Sequence, residues 1–171
     1  KLNTKRGDII EIPSKSKLYA LKNLTTDAIK YSRKDGKKIG EHNGAHYFTI
    51  GQRKGINIGG KKNPLFVIST NIKKNIVYVG MGNKHPGLFR KSLKIKSNSI
   101  HWVREDMKLS INNQVKYKIR IRHRQKLQNG ILKMKNDFLH ILFDNKQRGI
   151  AKGQFAAWYK NNELIGSGPI N

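Results

Sequence analysis

The sequence predicts a mainly β protein: a small mixed domain followed by a small antiparallel barrel or sandwich. Three observations carry that expectation. Residues 116–126 alternate strictly, with Tyr117, Ile119 and Ile121 apolar and every even position Lys or Arg. That is the period-two pattern of a strand with one buried face. After Pro86-Gly87 the chain reads as short apolar runs separated by turn signals. No long helical period, coiled coil, repeat or low-complexity tract interrupts that pattern.

Gly7-Asp-Ile-Ile-Glu-Ile12 reads as a short first strand. Residues 13–38 are lysine-rich and weakly patterned, read as an insertion with no assigned role. Gly36, Gly40 and Gly44 punctuate the adjoining stretch, and a short helix is expected from Ala45 to Arg53. It ends in a glycine-rich loop, Gly55-Ile-Asn-Ile-Gly-Gly60. Leu65–Ser69 and Asn75–Gly80 should form a hairpin through the polar turn Thr70–Lys74. Pro86-Gly87 marks a break, so one domain is expected over 1–90 and another over 91–171. In the second, strands are expected at 92–103, 114–124, 130–136, 138–143, 154–160 and 163–166. The turns between them are placed at Asn112-Asn113, Gln128-Asn129-Gly130, Asn136-Asp137 and Asn161-Asn162.

Charge points to a partner. The chain carries 36 Lys+Arg against 10 Asp+Glu, a net charge of +26 over 171 residues. An AT-rich genome enriches Lys, Asn and Ile, yet it permits Glu as readily as Lys, and only four Glu are present. The sign of the bias therefore favours nucleic acid or another polyanion. On a strand, the six cations from Lys116 to Lys126 would stand about 6.6 Å apart. Neighbours at that spacing repel by roughly 0.6 kcal/mol each in water before salt screens them. A row of phosphates relieves that repulsion. The alternative is a solvated edge strand on which lysine blocks aggregation.

Several functions find no support. Without Cys there is neither a disulfide framework nor thiolate chemistry in these residues. No apolar run approaches the ~20 residues of a membrane span, and no signal peptide is visible, so a cytoplasmic protein without a membrane partner is expected. The first residue is Lys1 rather than Met, as in a processed chain or a piece of a longer one. His42 and His46 have helical ligand spacing, but Gly44 lies between them and no third ligand is near, so no metal site is expected. No catalytic Ser-His-Asp or carboxylate pair stands out. Trp102 and Trp158 sit in apolar strand contexts and read as core. Gln52, Arg53 and Lys54, followed by glycines, make either a structural loop or a contact loop for RNA or a neighbouring domain. That loop matches neither the phosphate-binding P-loop nor the dinucleotide glycine pattern.

One resemblance is specific. Gly40-Glu-His-Asn-Gly44, Tyr47-Phe-Thr-Ile-Gly-Gln-Arg-Lys-Gly55 and Ile58-Gly-Gly60 resemble a block of the bacterial tRNA-specific 2-thiouridylase family. Similar residues occur downstream in the same order: Pro64–Ile68, Asn75–Val79, His85-Pro86, His101-Trp102-Val103, Arg122-His-Arg-Gln125, Gln147-Arg148, Gly153-Gln154 with Tyr159, and Leu164–Gly168. The likeness covers about residues 7 to 171. It departs at His123, where the family has tyrosine, at Lys152, where it has proline, and at Pro169, which interrupts its terminal pattern.

The resemblance implies the central and C-terminal domains of such an enzyme, the latter a β-barrel of the translation-factor domain-two type. It implies tRNA as partner, with contacts at Arg122, His123 and Gln154. The alternating run adds Lys118, Arg120 and Arg124 as candidate contacts. The family thiolates the C-2 position of the wobble uridine, adenylating its oxygen with ATP and delivering sulfur from a cysteine persulfide. ATP and the cysteines belong to a PP-loop catalytic domain upstream of this stretch. No cofactor and no catalytic residue is therefore expected here, and the whole protein would need that N-terminal domain and a persulfide donor or relay protein. The alternative is a stand-alone basic β-barrel RNA-binding protein of ribosomal type. A polyanion or anionic-membrane binder finds no basic amphipathic helix to support it.

Overall fold

The computed structural model describes residues 5–20 and 27–171. They fall into two compact units: 5–20 with 29–89, and 27–28 with 90–171.

The first unit is built on a four-stranded mixed sheet. Its strands are β1 (Gly7–Glu11), β2 (Lys37–His42), β3 (Leu65–Asn71) and β4 (Ile76–Met81), in the order β2-β1-β4-β3. β1 and β4 run parallel and the other pairs antiparallel. Both faces are covered, which is why Ile76-Val-Tyr-Val79 is continuously apolar rather than alternating. One face packs Ile9, Val67, Val77 and Val79 against Ala45 and Ile56; the other packs Ile10, Ile12, Ile68, Ile76 and Tyr78 against Leu88.

The expected helix at 45–53 is absent. Only Ala45–Tyr47 makes a 3-10 turn, and Phe48 is already extended. The backbone bonds go sideways instead: Gly51 N–H donates to Val67 O and Gln52 O accepts from Val67 N–H, so the segment lies along β3. β2 falls partly inside the stretch read as an insertion. Its lysines and Gly40 hide the strand pattern. Gly40 leaves room for the Ile58 side chain, whose Cδ1 would lie 2.3 Å from a Cβ there. Part of 13–38, residues 21–26, lies outside the described residues; Tyr19 and Tyr31 from the rest pack on the second face of the sheet.

The second unit is a curled seven-stranded antiparallel sheet. Its strands are β5 (Phe89–Lys96), β6 (His101–Trp102), β7 (Gln114–Arg120), β8 (Gln128–Lys135), β9 (Phe138–Arg148), β10 (Phe155–Lys160) and β11 (Glu163–Pro169). They are ordered β5-β9-β8-β7-β10-β11-β6. The last residues close back on the first strand: Asn171 N–H donates to Lys94 O at 2.9 Å, and a Cβ on Gly168 would touch Ile95. Inward side chains of every strand meet in one core containing Ile119, Leu132, Ile141, Phe143, Trp158 and Ile165. Trp102 and Trp158 are buried there edge to face, 5.4 Å apart.

Four expectations change. The run expected at 92–103 is two strands separated by a 3-10 turn at Ser97–Ser99. Gln128-Asn129-Gly130 is no turn but the start of β8, paired with Ile119, Lys118 and Tyr117. Gly130 serves close packing: a Cβ would lie 2.7 Å from Ile119 Cδ1 and 2.8 Å from Leu142 O. The basic strand stops at Arg120, so Arg122, Arg124 and Lys126 stand in the turn after it rather than in a row. Finally, β7 is interior, hydrogen-bonded to β8 and β10, which removes the edge-strand explanation of its lysines. Among the described residues no helix is long and apolar enough to cross a membrane.

Candidate nucleic-acid interface

Residues 114–154 hold eleven Lys and Arg against two Asp. The barrel arranges them on one wall and at one end. On β7, Tyr117 and Ile119 point into the core, so Lys116 and Lys118 point out and are exposed. β8 repeats the pattern, with Leu132 and Met134 inside and Lys133 and Lys135 outside.

Beyond Arg120 the chain turns. Gln125 Oε1 accepts from Ile121 N–H at 3.0 Å, and Gln125 N–H donates to Arg122 O, so the ladder is replaced by a tight turn. The β7–β8 turn is tied to the β9–β10 turn at the same end of the barrel. Arg122 Nη2 donates to Arg148 O at 3.0 Å and Gly149 O at 2.9 Å. Gln125 Nε2 donates to Gln147 Oε1 at 2.7 Å, and Gln147, only 5% exposed, donates on to Asn145 O. These bonds gather Arg122, His123, Arg124, Lys126, Arg148 and Lys152 into two joined turns.

The candidate residues then divide by what they touch. Arg120 donates to Tyr159 Oη at 2.7 Å and to His123 O at 3.2 Å, with its guanidinium over the Tyr159 ring at 4.9 Å. Arg122 holds the carbonyls of Arg148 and Gly149. Both arginines are fixed by protein groups. Arg124, His123 and Lys118 are exposed. His123 is exposed in the turn that follows β7. Gln154 closes its own turn: Oε1 accepts from Ala151 N–H at 3.1 Å, and its carbonyl accepts from Ile170 N–H at 2.7 Å. Gln154 and Arg122 thus sit on neighbouring turns although 32 residues separate them in sequence.

Gln52 Oε1 accepts from Thr49 N–H and Gln52 Nε2 donates to Lys54 O, so Gln52 shapes the candidate loop of the first unit. Arg53 and Lys54 are exposed, and Arg53 borders an open hollow floored by Ile56, Ile58 and Leu65. Gly51 N–H is taken by Val67 O, so that donor of the glycine loop is already satisfied by the sheet. His42 lies on β2 and His46 in the 3-10 turn, so their spacing is not that of one helical face. Burial lowers the His42 pKa foremost, and its Nδ1 accepts from Gly44 N–H at 2.9 Å.

Sequence reasoning overlooked Lys133, Lys135, Lys146 and Arg148. For two of them the signal was available, since in Leu132-Lys-Met-Lys135 the same alternation recurs; past Phe143 the residues are all polar, so no alternation marks Lys146 and Arg148. It also did not foresee that Gln125 and Gln147 join the two turns, since that pairing needs the register of β7, β8 and β9.

Comparison with known proteins agrees with this architecture. A model of the tRNA methyl transferase PRC-barrel domain matches residues 24–81, and one of the aminomethyltransferase β-barrel domain matches residues 92–170. The chain is 43% identical to a tRNA-specific 2-thiouridylase of Christiangramia forsetii, with 100% of the chain and 46% of that protein covered. Against the proteins of the same name from Flavobacterium johnsoniae and Karelsulcia muelleri, identity is 42% and 49%, again over 100% of the chain and 46% and 45% of the relative. The chain therefore spans a little under half the length of these curated relatives.

Proposed function

Since the chain belongs to the tRNA-specific 2-thiouridylase family, we propose that it is the tRNA-gripping part of such an enzyme. The observation that carries this reading is the joined pair of basic turns at one end of the barrel, continuous with the lysines of β7. Phosphate contacts position an RNA without reading its sequence. Arg124, His123, Lys118 and Lys152 make those contacts, while Arg120, Arg122 and Gln154 hold the turns in place and add charge or a polar edge nearby. Arg53 and Lys54 belong to a second contact, with RNA or with a catalytic domain.

In this reading the whole protein thiolates the C-2 position of the wobble uridine. ATP and the persulfide cysteine are carried by an N-terminal PP-loop domain, and sulfur arrives from a donor or relay protein. The cytoplasm, where tRNA is modified, is its compartment. No step of that chemistry falls to the residues described here, which orient the substrate.

The test is tRNA binding by the 171-residue chain over a salt titration. With four to six phosphate contacts, log K should fall against log salt with a slope of roughly −3 to −5. A slope near zero, or no binding at low salt, refutes the reading.

A further inference from the structure

We infer that Lys118, Lys116, Lys133 and Lys135 form a phosphate track along the barrel wall, holding a stretch of RNA backbone that extends from the basic turns. The inference rests on the proposed tRNA function and adds a surface to it.

The register defines the track. Lys116 pairs with Ile131 and Gln114 with Lys133, so Lys133 stands two pairs beyond Lys116 on the neighbouring strand and on the same face. The four side chains therefore follow β7, cross once to β8 and follow it, about 6.6 Å apart along each strand and about 7–8 Å at the crossing, over roughly 20 Å. That is the scale of successive phosphates on one strand. All four are exposed, because their strand neighbours Tyr117, Ile119, Leu132 and Met134 fill the core.

Charge complementarity selects the occupant. None of the four has a carboxylate partner among the described residues, whereas Asp8, Glu11, Asp27, Glu105, Asp106 and Glu163 are all paired elsewhere. Asp144 is the one carboxylate on β7, β8 and β9. Beside the track, Ile131 pairs with Leu142, which is 47% exposed. This apolar shelf suits the carbon face of ribose. A regular lysine spacing beside a shallow shelf fits a repeating polyanion better than an acidic protein segment, whose carboxylates are irregularly spaced.

The experiment uses the 171-residue chain and tRNA, with binding followed by anisotropy over a salt titration. Three double variants are compared with wild type: Lys133→Gln/Lys135→Gln on the wall, Arg124→Gln/Lys152→Gln at the turns, and Lys73→Gln/Lys74→Gln as a control of equal charge in the β3–β4 turn. The wall pair should make the salt slope shallower by roughly 1.4–1.8, as loss of two phosphate contacts requires. Its melting temperature should not move, and the control should leave the slope nearly unchanged. If the turn pair weakens binding and the wall pair does not, the track is refuted while the tRNA function stands, and the wall serves another partner such as an acidic protein. An equal effect from the control also refutes it, since net charge alone is then responsible. If wild type does not bind tRNA, both fail.

Discussion

Arg120, Arg122 and Arg124 are two residues apart yet do different work. Arg122 satisfies two carbonyls of the facing turn, so Arg122→Ala should cost about 1 kcal/mol of stability or somewhat more, besides weakening tRNA binding. Arg124 is exposed in the turn, and Arg124→Ala should leave the melting temperature in place while weakening binding. Ile119 is fully buried, and Ile119→Ala should cost about 2–4 kcal/mol. Thermal melts and affinities measured on the three variants separate these outcomes; an Arg124 variant that melts early would contradict the exposed placement. A second residue-scale consequence concerns acid. Lys38 holds the Asp8 carboxylate at 2.8 Å and, with Arg33, lowers its pKa despite the opposing effect of burial. A depressed carboxyl pKa contributes stability present above the unfolded value, near 3.9, and lost as pH falls through the folded one. Asp8→Asn should therefore destabilise the first unit at neutral pH and flatten its loss of stability below about pH 4. Urea melts at pH 7 and pH 3 read this directly; an equal deficit at both pH values would sink it.

Among elements, the hairpin β3–β4, the strand β1 and most of the barrel strands were legible from alternation and turn residues. The turns were legible where Asn takes a positive φ, as at Asn136, Asn161 and Asn162. Three features were not, each for a physical reason. At β2, an edge strand, Gly36 and Gly40 make room for Glu11 O and Ile58, so close packing erased the pattern. The 45–53 segment has the composition of a helix start, but long-range bonds to Val67 decide its path. Gln128-Asn129-Gly130 looks like a turn because Gly130 is needed for contact with Ile119 and Leu142 O. Gly130→Ala should consequently destabilise the barrel by about 1–3 kcal/mol through overpacking, whereas a true turn glycine would tolerate alanine according to its φ. A melting temperature unchanged in Gly130→Ala would return that segment to a turn. The candidate site was half legible. The cations of β7 announced themselves, but the pairing of Gln125 with Gln147 exists only once three strands are in register.

At the scale of the whole molecule, the 171 residues carry a net charge of +26 and no cysteine, a composition suited to binding rather than to thiol chemistry. With no cysteine in the sequence, the 171-residue chain incubated with tRNA, ATP and a sulfur donor should yield no 2-thiouridine above background by mass spectrometry of digested tRNA. Detectable product would overturn the assignment of catalysis to a separate domain. The same chain added in excess should compete with the full-length enzyme for tRNA, because it presents the same basic surface without turning over.

Both tryptophans, Trp102 and Trp158, lie in the barrel, and the first unit has tyrosines but no tryptophan. Red-edge excitation therefore makes indole emission a private optical channel for the barrel. The edge-to-face pair at 5.4 Å is close enough for its transition dipoles to couple, so a split far-ultraviolet dichroism band should mark the intact core. Denaturant titrations followed in indole light thus report the barrel alone, without labels or truncation.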